Sequence, residues 1–188
     1  TGYGRIVREA GKVCSIVEEK DATEEQRSIK EVNTGIMVLP TRYLDKWLSE
    51  LGNQNAQGEY YLTDVIARAV KEGVTVNTAL ALTPEEVEGV NNKVQLANLE
   101  RAFQKANALR LMNEGVTVVD PSRIDVRGEL ICGQDVTIDV GCIFSGRVVL
   151  GDGVCIGAYC VLKDVEIGAG TEVLPFCHFD GAEVGRDA

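Results

Sequence analysis

A repeat of about six residues runs through the last part of the chain and restricts its fold more than any other feature. From Leu150 onward the sequence divides into LGDGVC, IGAYCV, LKDVE, IGAGTE, VLPFCH, FDGAE and VGRDA. An aliphatic residue or Phe opens each unit, and Gly often follows it. Self-similarity at this period is typical of a parallel β-helix built from stacked hexapeptides. The repeat therefore predicts a β-helix in the C-terminal part of the chain.

The opening residues of these units are expected to point inward and to stack from coil to coil. They are Leu150, Ile156, Leu162, Ile167, Val173, Phe179 and Val184. The glycines that follow them are expected at corners, where a positive φ costs glycine little. LKDVE and FDGAE have only five residues, so these units need tighter corners. An antiparallel sheet with Gly turns is the alternative, and the sustained aliphatic–Gly phase favours the β-helix.

Strand and helix patterns alternate in the first half of the chain, which indicates an α/β or α+β layer structure. Strands are predicted at 4–9, 13–18, 29–39 and 74–82, and helices at 41–51 and 62–70. A long helix is predicted over 91–114, with Asn91 or Asn92 as its N-cap and Gly115 at its end. Its apolar stripe is Leu96, Leu99, Phe103, Ala106 and Leu109. The chain thus divides into 1–90, a helical arm at 91–115, and the β-helix at 116–188.

Composition excludes several classes of function. The net charge of −10 and the absence of a basic run argue against nucleic-acid binding. No apolar stretch reaches the ~20 residues of a membrane span. His178 is the only histidine and no cysteines form a C-x-x-C pair, so a zinc site is not favoured. The cysteines are interpreted as reduced, buried thiols in a cytoplasmic protein: Cys14, Cys132, Cys142, Cys155, Cys160 and Cys177.

Several short motifs occur in an order that resembles one enzyme family. They are TGYGRI (1–6), IVEEKDA (16–22), EVNTGI (31–36), NAQGEYYLTD (55–64), EVEGVNN (86–92) and DPSRIDVRG (120–128). Together with the hexapeptides they resemble the bacterial bifunctional N-acetylglucosamine-1-phosphate uridyltransferase/glucosamine-1-phosphate acetyltransferase family. The resemblance implies an α/β fold for 1–90, as the C-terminal part of a Rossmann-like nucleotidyltransferase domain. It also implies a long connecting helix and a left-handed parallel β-helix that assembles as a homotrimer.

The resemblance implies two reactions. One transfers UMP from UTP to N-acetylglucosamine-1-phosphate with Mg²⁺ and releases pyrophosphate; the other uses acetyl-CoA to acetylate glucosamine-1-phosphate. The product, UDP-N-acetylglucosamine, is a precursor of peptidoglycan and lipopolysaccharide. The family's Gly-rich nucleotide loop and later acetyltransferase coils are not among these residues, so the chain is expected to be an internal fragment that is inactive alone. Alternatives are a non-catalytic sugar-nucleotide-binding or trimerisation scaffold, or a nucleotidyltransferase for another sugar.

The resemblance also assigns candidate residues for binding UDP-N-acetylglucosamine. The Gly4 backbone would meet the sugar, Glu18 would accept hydrogen bonds from its hydroxyls, and Asn33 would bind the 2-acetamido group. Read without the resemblance, these are a loop glycine, a surface carboxylate and a turn asparagine. Glu19 should face the opposite side of the strand from Glu18.

Three further residues complete the candidate set. Tyr61 and Thr63 would line the sugar pocket, although Thr63 could instead cap the helix that follows. Asn91 would bind Mg²⁺ through its side-chain oxygen beside an aspartate that is not in this chain, or would cap the long helix.

The charged segment DPSRIDVRG is predicted to be structural. Its charged side chains are expected to pair across the first β-helix coil or with neighbouring chains. They are Asp120, Arg123, Asp125 and Arg127.

Overall fold

A computed structural model describes residues 2–188, so Thr1 of the TGYGRI motif lies outside the described residues. The chain divides into two compact units, the first ending at Gly89 and the second comprising Val90–Ala188. The elements of the first unit are β1 (Arg5–Glu9), β2 (Lys12–Val17), α1 (Glu24–Arg27), α2 (Thr41–Ser49), α3 (Asp64–Lys71) and a 3₁₀ turn at Pro84–Val87. The second unit has α4 (Lys93–Asn113), β3 (Thr117–Val118), β4 (Ile124–Cys132), β5 (Thr137–Ile138), β6 (Cys142–Leu150), β7 (Cys155–Ile156), β8 (Val161–Ile167), β9 (Glu172–Val173), β10 (His178–Asp180) and β11 (Glu183–Val184).

The predicted hairpin at the start of the first unit is confirmed. Strands β1 and β2 pair antiparallel through a turn at Ala10 and Gly11, which have φ of 47° and 80°. Two successive residues with positive φ match the twist of a hairpin of this kind. Helix α3 packs against β2, and the core beneath them contains Ile6, Val13, Ile16, Trp47, Val65, Ile66 and Ala69.

The strands predicted at 29–39 and 74–82 are wrong. Residues 29–39 make one isolated bridge, from Val32 to Arg5, and 74–82 contain no assigned strand. Val38 and Leu82 are 98% and 91% exposed. β-propensity depends on packing against neighbouring strands, and within residues 2–89 only β1 and β2 form a paired sheet. The aliphatic pattern is therefore present without the partners that would convert it into strands.

The second unit is a parallel β-solenoid, as the repeat predicts. One sheet has the order β10-β8-β6-β4 with β11 also paired to β8, and the other has the order β3-β5-β7-β9. All of these pairings are parallel. The five-residue unit LKDVE has the expected tight corner, because the register shifts where Asp164 adopts a φ of 51°.

The inward stack of aliphatic residues is confirmed where coils lie on both sides. Leu150, Ile156, Leu162, Ile167 and Val173 are all buried in the solenoid core. Phe179 and Val184 are half-buried and pack against that core. The hexapeptide pattern thus encodes the core residue by residue.

The expectation of a positive φ at the glycines that follow these residues is wrong. Gly151, Gly157 and Gly168 do not have a positive φ. A Cβ on Gly151 would instead lie 2.5 Å from the backbone nitrogen of Ala169 in the next coil. Glycine is required there because successive coils approach too closely for a side chain.

Helix α4 buries a different face from the predicted apolar stripe. Leu96, Phe103 and Leu109 are 47%, 57% and 47% exposed, whereas the buried side chains are Gln104, Ala108 and Leu111. Ala108 and Leu111 pack on the solenoid core. Gln104 accepts a hydrogen bond from the Val126 amide at 2.7 Å and donates one to the Val126 carbonyl at 3.0 Å. These bonds satisfy the N–H and C=O of Val126 on the outer edge of β4. They require the face of α4 that contains Gln104 to pack against the solenoid.

The charged residues of DPSRIDVRG form ion pairs within their own segment, whereas the prediction placed their partners across the first β-helix coil or in neighbouring chains. Arg123 pairs with Asp120 at 2.8 Å and Arg127 pairs with Asp125 at 3.2 Å. Arg101 of α4 also pairs with Asp125. Hydrogen bonds from Ser122 and Arg123 lower the pKa of Asp120 to about 2.

Candidate functional site

The turn after β2 brings Glu18 beneath the loop that contains Gly4. A Cβ built on Gly4 would lie 3.3 Å from each carboxylate oxygen of Glu18 and 2.9 Å from Cγ2 of Ile16. A side chain at Gly4 would therefore clash with Ile16 and would press tightly on the Glu18 carboxylate. The Asp21 amide donates to the Glu18 carbonyl at 3.1 Å and closes the turn that presents Glu18.

Thr63 fixes one oxygen of this carboxylate. Its hydroxyl donates to Glu18 Oε1 at 2.8 Å, and the residue is only 8% exposed. Thr63 precedes α3, but its side chain makes no capping hydrogen bond and its φ and ψ of −61° and −22° are helical. The alternative that Thr63 caps α3 is therefore wrong, because its hydroxyl is directed to Glu18.

Asn33 lies beside the same loop. Its amide donates to the Gly4 carbonyl at 2.8 Å, next to the bridge between Arg5 and Val32. The structure thus brings Gly4, Glu18, Asn33 and Thr63 into one group, although they are dispersed through the sequence. Their role in ligand binding stays a prediction.

A cavity of about 390 Å³ opens beside this group. Its lining includes Ile16, Val17, Glu18, Asp21, Gly52, Asn53, Gln54, Asn55, Tyr61 and Asp64. The volume is within the range of small-molecule sites, which is about 300–1,000 Å³. Carboxylates and carboxamides supply acceptors and donors that match a polyhydroxylated ligand.

Burial and neighbouring charges alter the acidity of two groups that line the cavity. Burial raises the pKa of the Asp64 carboxyl; Arg68 opposes the shift, and the nearby carboxylates of Glu18 and Asp21 add to it. Burial also raises the pKa of the Tyr61 phenol, and its hydrogen bond to Asp21 acts in the same direction. Tyr61 is therefore a neutral phenol at pH 7.

Glu19 does not line the cavity, which agrees with the prediction that it faces away from Glu18, although both residues lie in the turn after β2 ends at Val17. Its carboxylate pairs with Arg5 at 2.6 Å, and the Arg5 side chain is 6% exposed. The hydrogen bond from Arg5 lowers the pKa of Glu19, and the positive charge of Arg5 adds to that effect. Glu18 therefore lines the cavity, whereas Glu19 forms an ion pair with the buried Arg5 side chain.

Asn91 belongs to the second unit and does not cap α4. Asn92 takes that role, since its side chain accepts from the Gln95 amide at 2.9 Å. The Asn91 amide donates to Gln95 Oε1 at 2.8 Å. Because Asn92 caps the helix, the Asn91 carboxamide oxygen is not used for capping. It is a neutral oxygen ligand of the kind that Mg²⁺ binds. Among residues 2–188, no group of three His, Cys, Asp or Glu side chains could hold a metal ion.

Sequence reasoning missed Asp21, Asn55 and Gln57. Asp21 accepts from the Tyr61 hydroxyl at 3.1 Å, and Gln57 donates to the same hydroxyl at 3.0 Å. All three lie inside motifs that were recognised, IVEEKDA and NAQGEYYLTD. The polar residues of those motifs were the available signal.

The expectation that all six cysteines are buried holds fully for two of them and only in part for three that are half-buried, Cys14, Cys132 and Cys177. Cys142 and Cys160 are buried as predicted, and burial raises the pKa of the Cys142 thiol to about 11. The expectation of burial is wrong for Cys155, which is exposed.

In the described part of the chain, no helix combines the length and the apolar character that crossing a membrane requires.

No family model matches the chain, but curated relatives match it along its whole length. It is 60% identical over 188 residues to the Bifunctional protein GlmU of Cupriavidus metallidurans, and 60% identical over 189 residues to that of Ralstonia pickettii. The chain belongs to the GlmU family. The Bifunctional protein GlmU of Nitrosospira multiformis is 58% identical over 188 residues. These alignments cover 99–100% of the chain but only 41–42% of each GlmU relative.

Proposed function

We propose that this GlmU-family chain supplies the sugar-recognising part of a uridyltransferase site. The reaction transfers UMP from UTP to N-acetylglucosamine-1-phosphate and releases pyrophosphate. The observation that carries the proposal is the contact of Glu18 with both Gly4 and Thr63 at the edge of a polar cavity. The identity of about 60% with GlmU relatives supports it along the whole chain.

The chemistry of each group fits an acetamido sugar. Thr63 holds Oε1 of Glu18, so Oε2 is free to accept a hydrogen bond from a sugar hydroxyl. Gly4 lacks a Cβ, so the main chain itself can lie against the sugar ring. The Asn33 carboxamide both donates and accepts, which matches the N–H and C=O of a 2-acetamido group.

The chain's contribution to the reaction is positioning. Attack of the sugar-1-phosphate oxygen on the α-phosphorus of UTP needs an in-line arrangement, and holding the sugar rigidly reduces the entropic part of the barrier. Mg²⁺, when bound, neutralises phosphate charge. Asn91 is the residue of this chain proposed to contribute an oxygen to it.

The finer features of the two units are part of the same proposal. The first unit is proposed to be the C-terminal part of a Rossmann-like domain, and the solenoid to be a left-handed β-helix that forms a homotrimer. The parent protein would also acetylate glucosamine-1-phosphate with acetyl-CoA, in the cytoplasm. These 188 residues do not include the family's Gly-rich nucleotide loop, so this polypeptide is proposed to be inactive alone.

The proposal is tested by following backbone amides by NMR while N-acetylglucosamine-1-phosphate is added, with glucose-1-phosphate as the matched control. The expected result is that the amides of Gly4, Glu18, Asn33 and Thr63 shift with the acetamido sugar, and shift less with the control. Equal shifts with both ligands would indicate a nucleotidyltransferase for another sugar. No shift would indicate a scaffold. A pyrophosphate-release assay should stay at background, and release above it would contradict the predicted inactivity.

A further inference from the structure

Three side chains of the turn Glu18–Asp21 form four hydrogen bonds with the segment 55–63. Thr63 donates to Glu18 at 2.8 Å, Lys20 donates to Gln57, and Asp21 accepts from both Ala56 and Tyr61. Only in the Thr63–Glu18 bond are both partners candidate sugar-binding residues. The resemblance assigns no role at the sugar to Lys20, Asp21, Ala56 or Gln57, and the Asp21–Tyr61 bond connects one of these residues with a candidate pocket residue.

Asp21 makes the most extensive of these connections. Its Oδ1 accepts from the Ala56 amide at 2.8 Å, and its Oδ2 accepts from the Tyr61 hydroxyl at 3.1 Å. Its own amide donates to the Glu18 carbonyl at 3.1 Å. One residue therefore holds the backbone of the segment, the phenol at its end and the turn that presents Glu18.

The segment that Asp21 holds is internally ordered. Asn55 Oδ1 accepts from the amides of Gln57 and Glu59 at 3.1 and 3.2 Å, and the Gly58 amide donates to the Asn55 carbonyl at 3.1 Å. These bonds connect the segment with itself and not with the turn at Glu18–Asp21. The position of the segment relative to Glu18 therefore depends on the hydrogen bonds that cross to the turn.

The hydrogen-bond network also determines the direction in which the Tyr61 hydroxyl hydrogen points. Because Gln57 Oε1 accepts from Lys20, the Gln57 Nε2 group is the one that donates to Tyr61 Oη, at 3.0 Å. The Tyr61 hydrogen then points to the Asp21 carboxylate, which can only accept. Tyr61 Oη is left with one lone pair for a ligand and no hydrogen to donate.

We propose that Asp21 is a positioning residue of the sugar site, which holds the segment 55–63 against the Glu18 turn and makes Tyr61 a hydrogen-bond acceptor for a sugar hydroxyl. This inference rests on the proposed function, since it takes an N-acetylglucosamine moiety as the ligand. Glu18, Asp21 and Tyr61 line the same cavity, so a change in this network acts directly on the space that the ligand would fill.

The decisive variant is Asp21→Asn, which keeps the size of the side chain. Its Oδ1 can still accept from Ala56, but its amide group would donate to Tyr61 and turn the phenolic hydrogen away. The control is Glu24→Gln, which makes the same charge change at an exposed position in the first turn of α1. Tyr61→Phe removes the acceptor and keeps the ring.

Calorimetry of the 188-residue chain with UDP-N-acetylglucosamine is the main readout. Asp21→Asn is expected to weaken binding by roughly 5-fold, the effect of one ordinary hydrogen bond. Tyr61→Phe should weaken it by a similar factor, the double variant should be no weaker than either single variant, and Glu24→Gln should bind like wild type. In the ligand-free chain, ¹³C NMR should find a lower pKa for the Tyr61 phenol in Asp21→Asn, because the carboxylate beside it is gone.

The outcomes separate this inference from the proposed function. If wild type binds and Asp21→Asn binds equally well, the positioning role is wrong and the proposed function stands. If Asp21→Asn weakens binding but Tyr61→Phe does not, Asp21 contacts the sugar itself, and the positioning role is again overturned. If wild type does not bind, both fail together.

Discussion

The Thr63 hydroxyl donates a hydrogen bond to Glu18 Oε1 at 2.8 Å, so the residue that precedes helix α3 orients the carboxylate at the end of strand β2. Helix α3 also packs against β2. The candidate site is therefore formed where a helix start and a strand end are held together by both an apolar core and a polar contact.

Replacing Thr63 by Val should free the Glu18 carboxylate to rotate. We expect the free energy of unfolding to fall by about 1 kcal/mol, the typical value of one hydrogen bond, and the affinity for UDP-N-acetylglucosamine to fall several-fold. Urea titration and calorimetry measure the two effects. Thr63→Ser keeps the hydroxyl and should retain most of the affinity. Wild-type affinity in Thr63→Val would contradict a role for this contact in orienting Glu18.

Replacing Gly4 by Ala should damage the site without requiring an unusual backbone conformation. The new Cβ would lie 2.9 Å from Ile16 Cγ2, so Ile16 must shift, and 3.3 Å from both Glu18 oxygens, so the carboxylate must also give by a few tenths of an ångström. We expect sugar binding to fall below detection by calorimetry. Gly185→Ala is the matched control, because Gly185 does not line the cavity and a Cβ there meets nothing within 4 Å. Equal affinities of the two variants would show that close approach at Gly4 is not needed.

The Arg5–Glu19 ion pair predicts an acid-dependent loss of stability in the first unit. Arg5 holds the pKa of Glu19 below its ordinary value of 4.5. The contribution is therefore fully present above the unfolded pKa and is lost as the pH falls through the folded one. Trp47, the only tryptophan, is buried in the first unit and reports its unfolding by fluorescence. Between pH 6 and pH 3, stability should fall more steeply in wild type than in Glu19→Gln, and parallel curves would refute the linkage.

Gln104 should be a major determinant of how α4 packs. Its 2% exposed side chain satisfies both the N–H and the C=O of Val126. Replacement by Ala would leave two backbone groups without partners, and we expect it to lower the free energy of unfolding of the second unit by about 2–4 kcal/mol. Circular dichroism during urea unfolding measures this loss. The exposed neighbour Lys105→Ala should change stability little; a similar loss in both variants would exclude the hydrogen bonds as the cause.

The sequence predicts those parts of the fold that local information specifies. The hairpin has its turn residues within its own segment, and the stacked residues from Leu150 to Val173 follow a repeat that can be counted. The strands expected at 29–39 and 74–82 required partners that the described residues do not provide. The buried face of α4 was missed because Gln104, a polar residue, packs inward to bond Val126.

The candidate site was predictable through its motifs but not through its contacts. Gly4, Glu18, Asn33 and Thr63 were selected by resemblance, and the structure brings them together. The bonds of Asp21 to Ala56 and Tyr61 join segments that are far apart in the sequence. No periodic pattern in the sequence specifies such a pairing, so it is visible only in the three-dimensional structure.

The most direct test of the central claim is a calorimetric titration of this chain with UDP-N-acetylglucosamine in the presence of Mg²⁺, with UDP-glucose as the control. The account predicts selective binding of the acetamido sugar nucleotide, even if it is as weak as millimolar. Such a result would mean that Gly4, Glu18 and Asn33 form a working sugar half-site. No binding, or equal binding of both nucleotides, would contradict the claim that these residues recognise N-acetylglucosamine.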